Sequence, residues 1–97
     1  MRILTIACIV GLMAAPASAD TIRRACLGAP TGGTPQLCAC IQAAADRTLT
    51  AKDQKLAATF FQNPDRAQEI RQSDRRSHEV FWKRYRAFGD AAEAYCS

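Results

Sequence analysis

The side chains able to do chemistry in this 97-residue chain are few: five cysteines, one histidine, and the run Ser77-His78-Glu79 beside Asp74. Cys38-Ala39-Cys40 together with His78 raises a thiolate metal site, a copper site or a redox thiol. A structural zinc site takes four ligands, commonly from pairs separated by two to four residues; here only one residue intervenes. A disulfide-exchange thiol needs a lowered pKa in a Cys-x-x-Cys setting at a helix N-terminus. Cys38 and Cys40 do lie in the first turns after Pro35, but no αβ scaffold of the kind such enzymes use accompanies them. Ser77, His78 and Glu79 have the residue types of a hydrolytic relay. Neighbours on a helix point about 100° apart, so these three cannot relay a proton among themselves. The residues therefore speak against an enzyme, and neither a metal nor another cofactor is expected.

The cysteines read more simply as staples. Residues 1–19, MRILTIACIVGLMAAPASA, have the parts of a secretory signal peptide: Arg2, an apolar run from Ile3 to Ala15, and the small residues Ala17-Ser18-Ala19. The run is shorter than the roughly 20 residues that span a bilayer, and Cys8 falls too early in it for a lipid anchor. Cleavage is expected between Ala19 and Asp20, giving a periplasmic or secreted chain without stable membrane insertion. Residues 20–97 then form a single helical domain with twelve basic side chains against nine acidic ones, Arg2 being the one lost. That is mildly basic, well short of a polyphosphate-binding composition. At this length a core alone rarely contributes more than about 3–5 kcal/mol, so Cys26, Cys38, Cys40 and Cys96 are expected to form disulfides. Cys38 and Cys40 stand about 200° apart on a helix, so one should take Cys26 and the other Cys96; the order stays open.

The elements that must position these residues read as helices throughout, with no alternating β-branched stretch. DTIRRACLG suggests a short helix ended by Gly28, and APTGGTP a loop. Thr34-Pro35 predicts a helix start, with a helix to about residue 48 offering Leu37, Ile41, Ala44 and Ala45 as its apolar face. Thr50 with Asp53 predicts the next start, with Leu56, Ala57, Phe60 and Phe61 buried. Asn63-Pro64 begins a last helix expected to run unbroken to Gly89, with the pattern able to resume from there to Cys96. Its buried stripe collects Ala67, Ile70, Asp74, Ser77, Phe81, Tyr85, Phe88, Ala92 and Tyr95. The expected fold is all-α: a small disulfide-stapled bundle of three to four helices with a long C-terminal helix.

Residues 75–89, RRSHEVFWKRYRAFG, hold five basic and four aromatic side chains. Phe81, Tyr85 and Phe88 fall on the buried stripe. Arg75–Glu79, Glu79–Lys83 and Arg86–Asp90 have the four-residue spacing of surface ion pairs. A nucleic-acid helix keeps its cations unpaired and its aromatics outward, so nucleic acid is not expected as a partner. Trp82 is the exception among the aromatics. It flanks the stripe near Arg71, Arg75, His78 and Arg86, where tryptophan and arginine make contact hot spots, unless it only covers a neighbouring helix end. Asp74 and Ser77 break the stripe with polarity. A buried Asp74 would need a cation such as Arg47, Lys52 or Lys55; alternatively Asp74, Ser77 and His78 line a notch for a small cationic ligand. The favoured function is a non-enzymatic interaction module contacting a periplasmic protein through Arg71, Arg75, Trp82 and Arg86. Small-ligand binding and Cys-x-Cys metal or thiol-redox chemistry are the alternatives.

The segments LCACIQ, DQKLAATFF, NPDRAQEIRQSDRRSHEVFWKRYRAFG and AEAYCS together cover nearly all of residues 20–97. In them the chain resembles a family of small exported, cysteine-containing proteins of alphaproteobacteria, some of which carry the automatic label "arginine transporter". A transporter needs membrane-spanning helices, and none is expected after residue 19. The resemblance therefore implies an exported helical fold and, at most, an accessory linked to arginine or basic amino-acid transport.

Overall fold

A computed structural model describes residues 20–97; the expected signal peptide lies outside the described residues. Five helices follow in order: α1 (Thr21–Leu27), α2 (Pro35–Thr48), α3 (Ala51–Gln62), α4 (Pro64–Arg71) and α5 (Arg76–Cys96). Among the described residues there is no strand. The architecture is an all-α, disulfide-stapled bundle whose long C-terminal helix is backed by four shorter ones.

The helix starts follow from the capping residues. Thr34 accepts from the Leu37 N–H with Pro35 at the first turn. Thr50 and Asp53 form a reciprocal capping box, each side chain accepting from the other's backbone N–H at 3.0 Å. Such a box contributes about 1 kcal/mol. Asn63 occupies the cap position of α4 without a side-chain cap hydrogen bond, so there the fixed proline φ does the work.

At seven residues α1 is too short to hold itself, and three ties from other helices fix it. Gln42 Oε1 on α2 accepts from the N–H groups of Ile22 and Arg23, both at 2.8 Å, and so caps the start of α1 from outside. Gln62 Nε2 on α3 donates to the Gly28 carbonyl at its end. Cys26 is bonded to Cys38. Gln42 Nε2 in turn donates to Asp46 Oδ1 at 2.8 Å and to Gln54 Oε1 at 2.9 Å, and Gln54 Nε2 reaches Asp46 Oδ1 at 3.2 Å. Three helices thus share one polar network beside the core, with Gln42 and Gln54 both buried. A second disulfide joins Cys40 on α2 to Cys96 on α5, so Cys38 and Cys40 do take different partners.

The core gathers Ile22, Ala44, Ala45, Leu49, Ala57, Phe60, Ile70, Phe81 and Phe88. Tyr85 is the hub of its aromatic part, with ring centroids 5.2 Å from Phe60, 5.6 Å from Phe81, 5.1 Å from Trp82 and 5.7 Å from Phe88. Each buried phenylalanine contributes about 1.5–3 kcal/mol.

Three sequence expectations are corrected. The helix from Pro64 is not continuous, because residues 72–75 leave the helix between α4 and α5. Ser73 explains the break: its hydroxyl accepts from the Arg75 N–H at 3.1 Å and is hydrogen-bonded to His78 Nδ1 at 2.8 Å. Short polar side chains bonding to the local backbone compete in this way with the helix. Asp74, expected inside the buried stripe, consequently sits exposed in this linker, and Tyr95 is 70 % exposed with Arg47 5.6 Å from its ring centroid. On α2 the buried side is Cys38, Gln42, Ala44 and Ala45, while Leu37 is exposed. Gly89 does not interrupt α5.

Two substitutions probe these points. A Cβ at Gly89 would meet nothing within 4 Å; Gly89→Ala is therefore expected to raise stability by about 0.5–1 kcal/mol in urea unfolding. Gln42→Leu keeps the bulk but strands the two α1 N–H groups, and is expected to lower stability by about 2–4 kcal/mol in the same measurement.

Candidate functional site

α3 and α5 cross so that the first turn of each borders one cleft of about 330 Å³, lined by Lys52, Asp53, Leu56, Arg75, Ser77, His78, Phe81 and Arg84. The capping box that starts α3 also fixes Asp53 at the edge of this cleft. Arg84, three residues after Phe81 and four before Phe88, reaches across from α5. Its Nη2 donates to Asp53 Oδ1 at 2.9 Å and its Nε to Oδ2 at 2.5 Å, a two-pronged pair. Asp53 is 5 % exposed, whereas the Arg84 side chain is 39 % exposed. Burial pushes the Asp53 carboxyl upward. The hydrogen bonds from Arg84 and Thr50 and the Arg84 charge outweigh it and hold the carboxyl below its ordinary value, while the same pair raises Arg84.

The structure divides the sequence-predicted residues into groups. Arg75, Ser77 and His78 come together at the cleft. Arg86 borders a shallow depression with Lys83, Ala87 and Asp90. Trp82 is half-buried against the core, its ring tilted on Tyr85, and lies one helical turn before Arg86. Arg71 ends α4 and is exposed. Asp74 does not line the cleft. The three i,i+4 pairs expected along α5 do not close: among the described residues the ion pairs are Asp20–Arg23, Arg66–Glu69 and Asp53–Arg84. Side-chain entropy offsets most of what an exposed pair gains, so this face stays charged and open.

Cys26, Cys38, Cys40 and Cys96 are all in disulfides, so Cys38 and Cys40 present no thiolate pair. Among the described residues no three His, Cys, Asp or Glu side chains group closely enough to hold a metal ion. No described helix is long and apolar enough to cross a membrane.

Sequence reasoning did not find Lys52 and Arg84 as site residues, nor Asp53 as more than a cap. The signal for Arg84 was there: a cation spaced with Phe81 and Phe88 on the stripe's edge must find a partner across the helix interface. What the spacing does not carry is which helix lies opposite.

No family model, curated protein or solved structure matches this chain.

The lowered Asp53 pKa sets a pH dependence. A carboxyl whose folded pKa lies below its unfolded value of 3.8 contributes stability that is complete above that value and lost as pH falls through the folded one. Asp53→Asn is expected to lower stability by about 1–3 kcal/mol at pH 7. The gap from wild type should narrow below pH 3.8, as read by urea midpoints across pH.

Proposed function

We propose that this protein is a non-enzymatic, exported helical interaction module of the periplasm, which contacts an acidic protein partner through the basic side of α5 and the turn before it. The single observation that carries the reading is that Arg71, Arg75 and Arg86 are exposed, with no acidic side chain at ion-pair distance. Trp82, half-buried one turn from Arg86, supplies an apolar rim. Unpaired cations around a tryptophan steer and anchor an anionic surface. The signal-like residues 1–19 and two disulfides support export to an oxidising compartment.

The linker at residues 72–75 supports the same reading. By ending α4 and starting α5 afresh, it sets Arg71 and Arg75 at a corner instead of along one helix line. The corner carries no role in the core, since neither arginine packs there.

Arg75→Glu with Arg86→Glu is expected to weaken capture of periplasmic partners at least tenfold, about 1.4 kcal/mol, with helical content unchanged. Capture of the same proteins at undiminished strength would contradict the assignment.

A further inference from the structure

The cleft between α3 and α5 has a chemistry of its own. Its cationic side chains are Lys52, Arg75 and Arg84, with His78 beside them, against one carboxylate, Asp53. Both oxygens of that carboxylate are already occupied. Oδ1 accepts from Arg84, and Oδ2 accepts from Arg84 and from the Thr50 N–H. Asp53 and Arg84 cancel, which leaves Lys52 and Arg75 facing the cleft with no acidic side chain at ion-pair distance. The His78 Nδ1 is held by Ser73, and the Ser77 hydroxyl lines the same wall.

The second feature is the apolar part of the lining. Leu56 is half-buried and Phe81 is 3 % exposed, and both belong to or pack on the core. A site of about 330 Å³ falls at the lower end of the range for small-molecule pockets, which combine an apolar lining with a few placed polar groups. Arg75 and Arg76 also stand at the start of α5, which has no capping side chain and a single acidic residue, Glu79, in its first turn. The helix dipole opposes cations there, and an anion would relieve that placement.

We propose that this cleft binds an organic carboxylate carried on an apolar body, its charge between Lys52 and Arg75 and its apolar portion over Leu56 and Phe81. A cation without a carboxylate, such as argininamide, meets an uncompensated positive field and no free carboxylate. An inorganic anion satisfies the charge but leaves the apolar lining wet. A free small acid and the end of a partner chain both present this carboxylate, and the chemistry of recognition is the same. This deepens the interaction-module reading and rests on it, because Arg75 serves both surfaces.

The test is a titration of the isotopically labelled, oxidised protein, followed by amide shifts. The probes are N-acetyl-phenylalanine, its amide N-acetyl-phenylalaninamide, inorganic phosphate and argininamide. N-acetyl-phenylalanine is expected to give saturable shifts at Lys52, Ser77 and His78, with affinity at least tenfold weaker in Lys52→Gln and in Arg75→Gln and unchanged in Arg24→Gln, an exposed cation on α1 outside the cleft. Both cleft side chains are exposed, so the variants are expected to keep the wild-type spectrum elsewhere. Equal binding of the amide would overturn the carboxylate, tighter binding of phosphate the apolar body, and binding of argininamide the sign of the charge. Absence of any saturable shift would overturn the site itself. If partner capture still depends on Arg86 in that case, the module reading stands and only the cleft assignment falls. Displacement of a captured partner by N-acetyl-phenylalanine identifies the source as a partner chain; binding without displacement identifies a free acid.

Discussion

Two cysteines one residue apart on a helix cannot face the same neighbour. On α2 this is the constraint that everything else obeys. Cys38 is directed to Cys26 just inside the end of α1, and Cys40, about 200° round the axis, to Cys96 at the end of α5. The helix between them becomes the fixed post to which the shortest and the longest elements are tied. Gln42, one turn after Cys38 and so on the same side, adds the polar tie that starts α1. In the chain-entropy account the closures of 12 and 56 residues contribute about 3 and about 4 kcal/mol. These are contributions on the scale of a small domain's whole stability.

With both ends of α5 set, by the Cys96 bond and by the Ser73 turn before Arg76, the charges along it have little freedom to rearrange. Arg84 meets Asp53, the buried carboxylate among the described residues, and neutralises it. Lys52 and Arg75 are left at the cleft without an ion-pair partner, while along the exposed side of α5 cations and carboxylates alternate without closing on one another. The same economy of cysteines removes thiol chemistry from consideration while both bonds are closed.

Much of this was legible in the sequence. Thr34-Pro35 and Thr50 with Asp53 announce helix starts because local hydrogen bonds decide them, and they hold in the structure. The spacing of Phe81, Tyr85 and Phe88 identifies the buried side of α5, and the spacing of Cys38 and Cys40 makes their mutual bond the least favoured pairing. Four features were not legible. The break at Ser73 depends on a hydroxyl satisfying Arg75 and His78 together, which the periodicity of apolar residues does not register. Gln42 capping α1 and Arg84 pairing with Asp53 are contacts across helices, set by how the helices are placed and not by either segment alone. Tyr95 fits the periodic stripe, but beyond Ala92 α5 outruns the core and the tyrosine emerges against Arg47 instead.

The whole arrangement stands on the cysteines being structural, with Cys26 paired to Cys38 and Cys40 to Cys96. The most direct measurement is a peptide map of the unreduced protein, alkylated under denaturing conditions. The account predicts Cys26 linked to Cys38 and Cys40 linked to Cys96, with none of these four thiols alkylated. Free Cys38 and Cys40, or the crossed linkage, would contradict it, and free thiols would return metal or redox chemistry to the front.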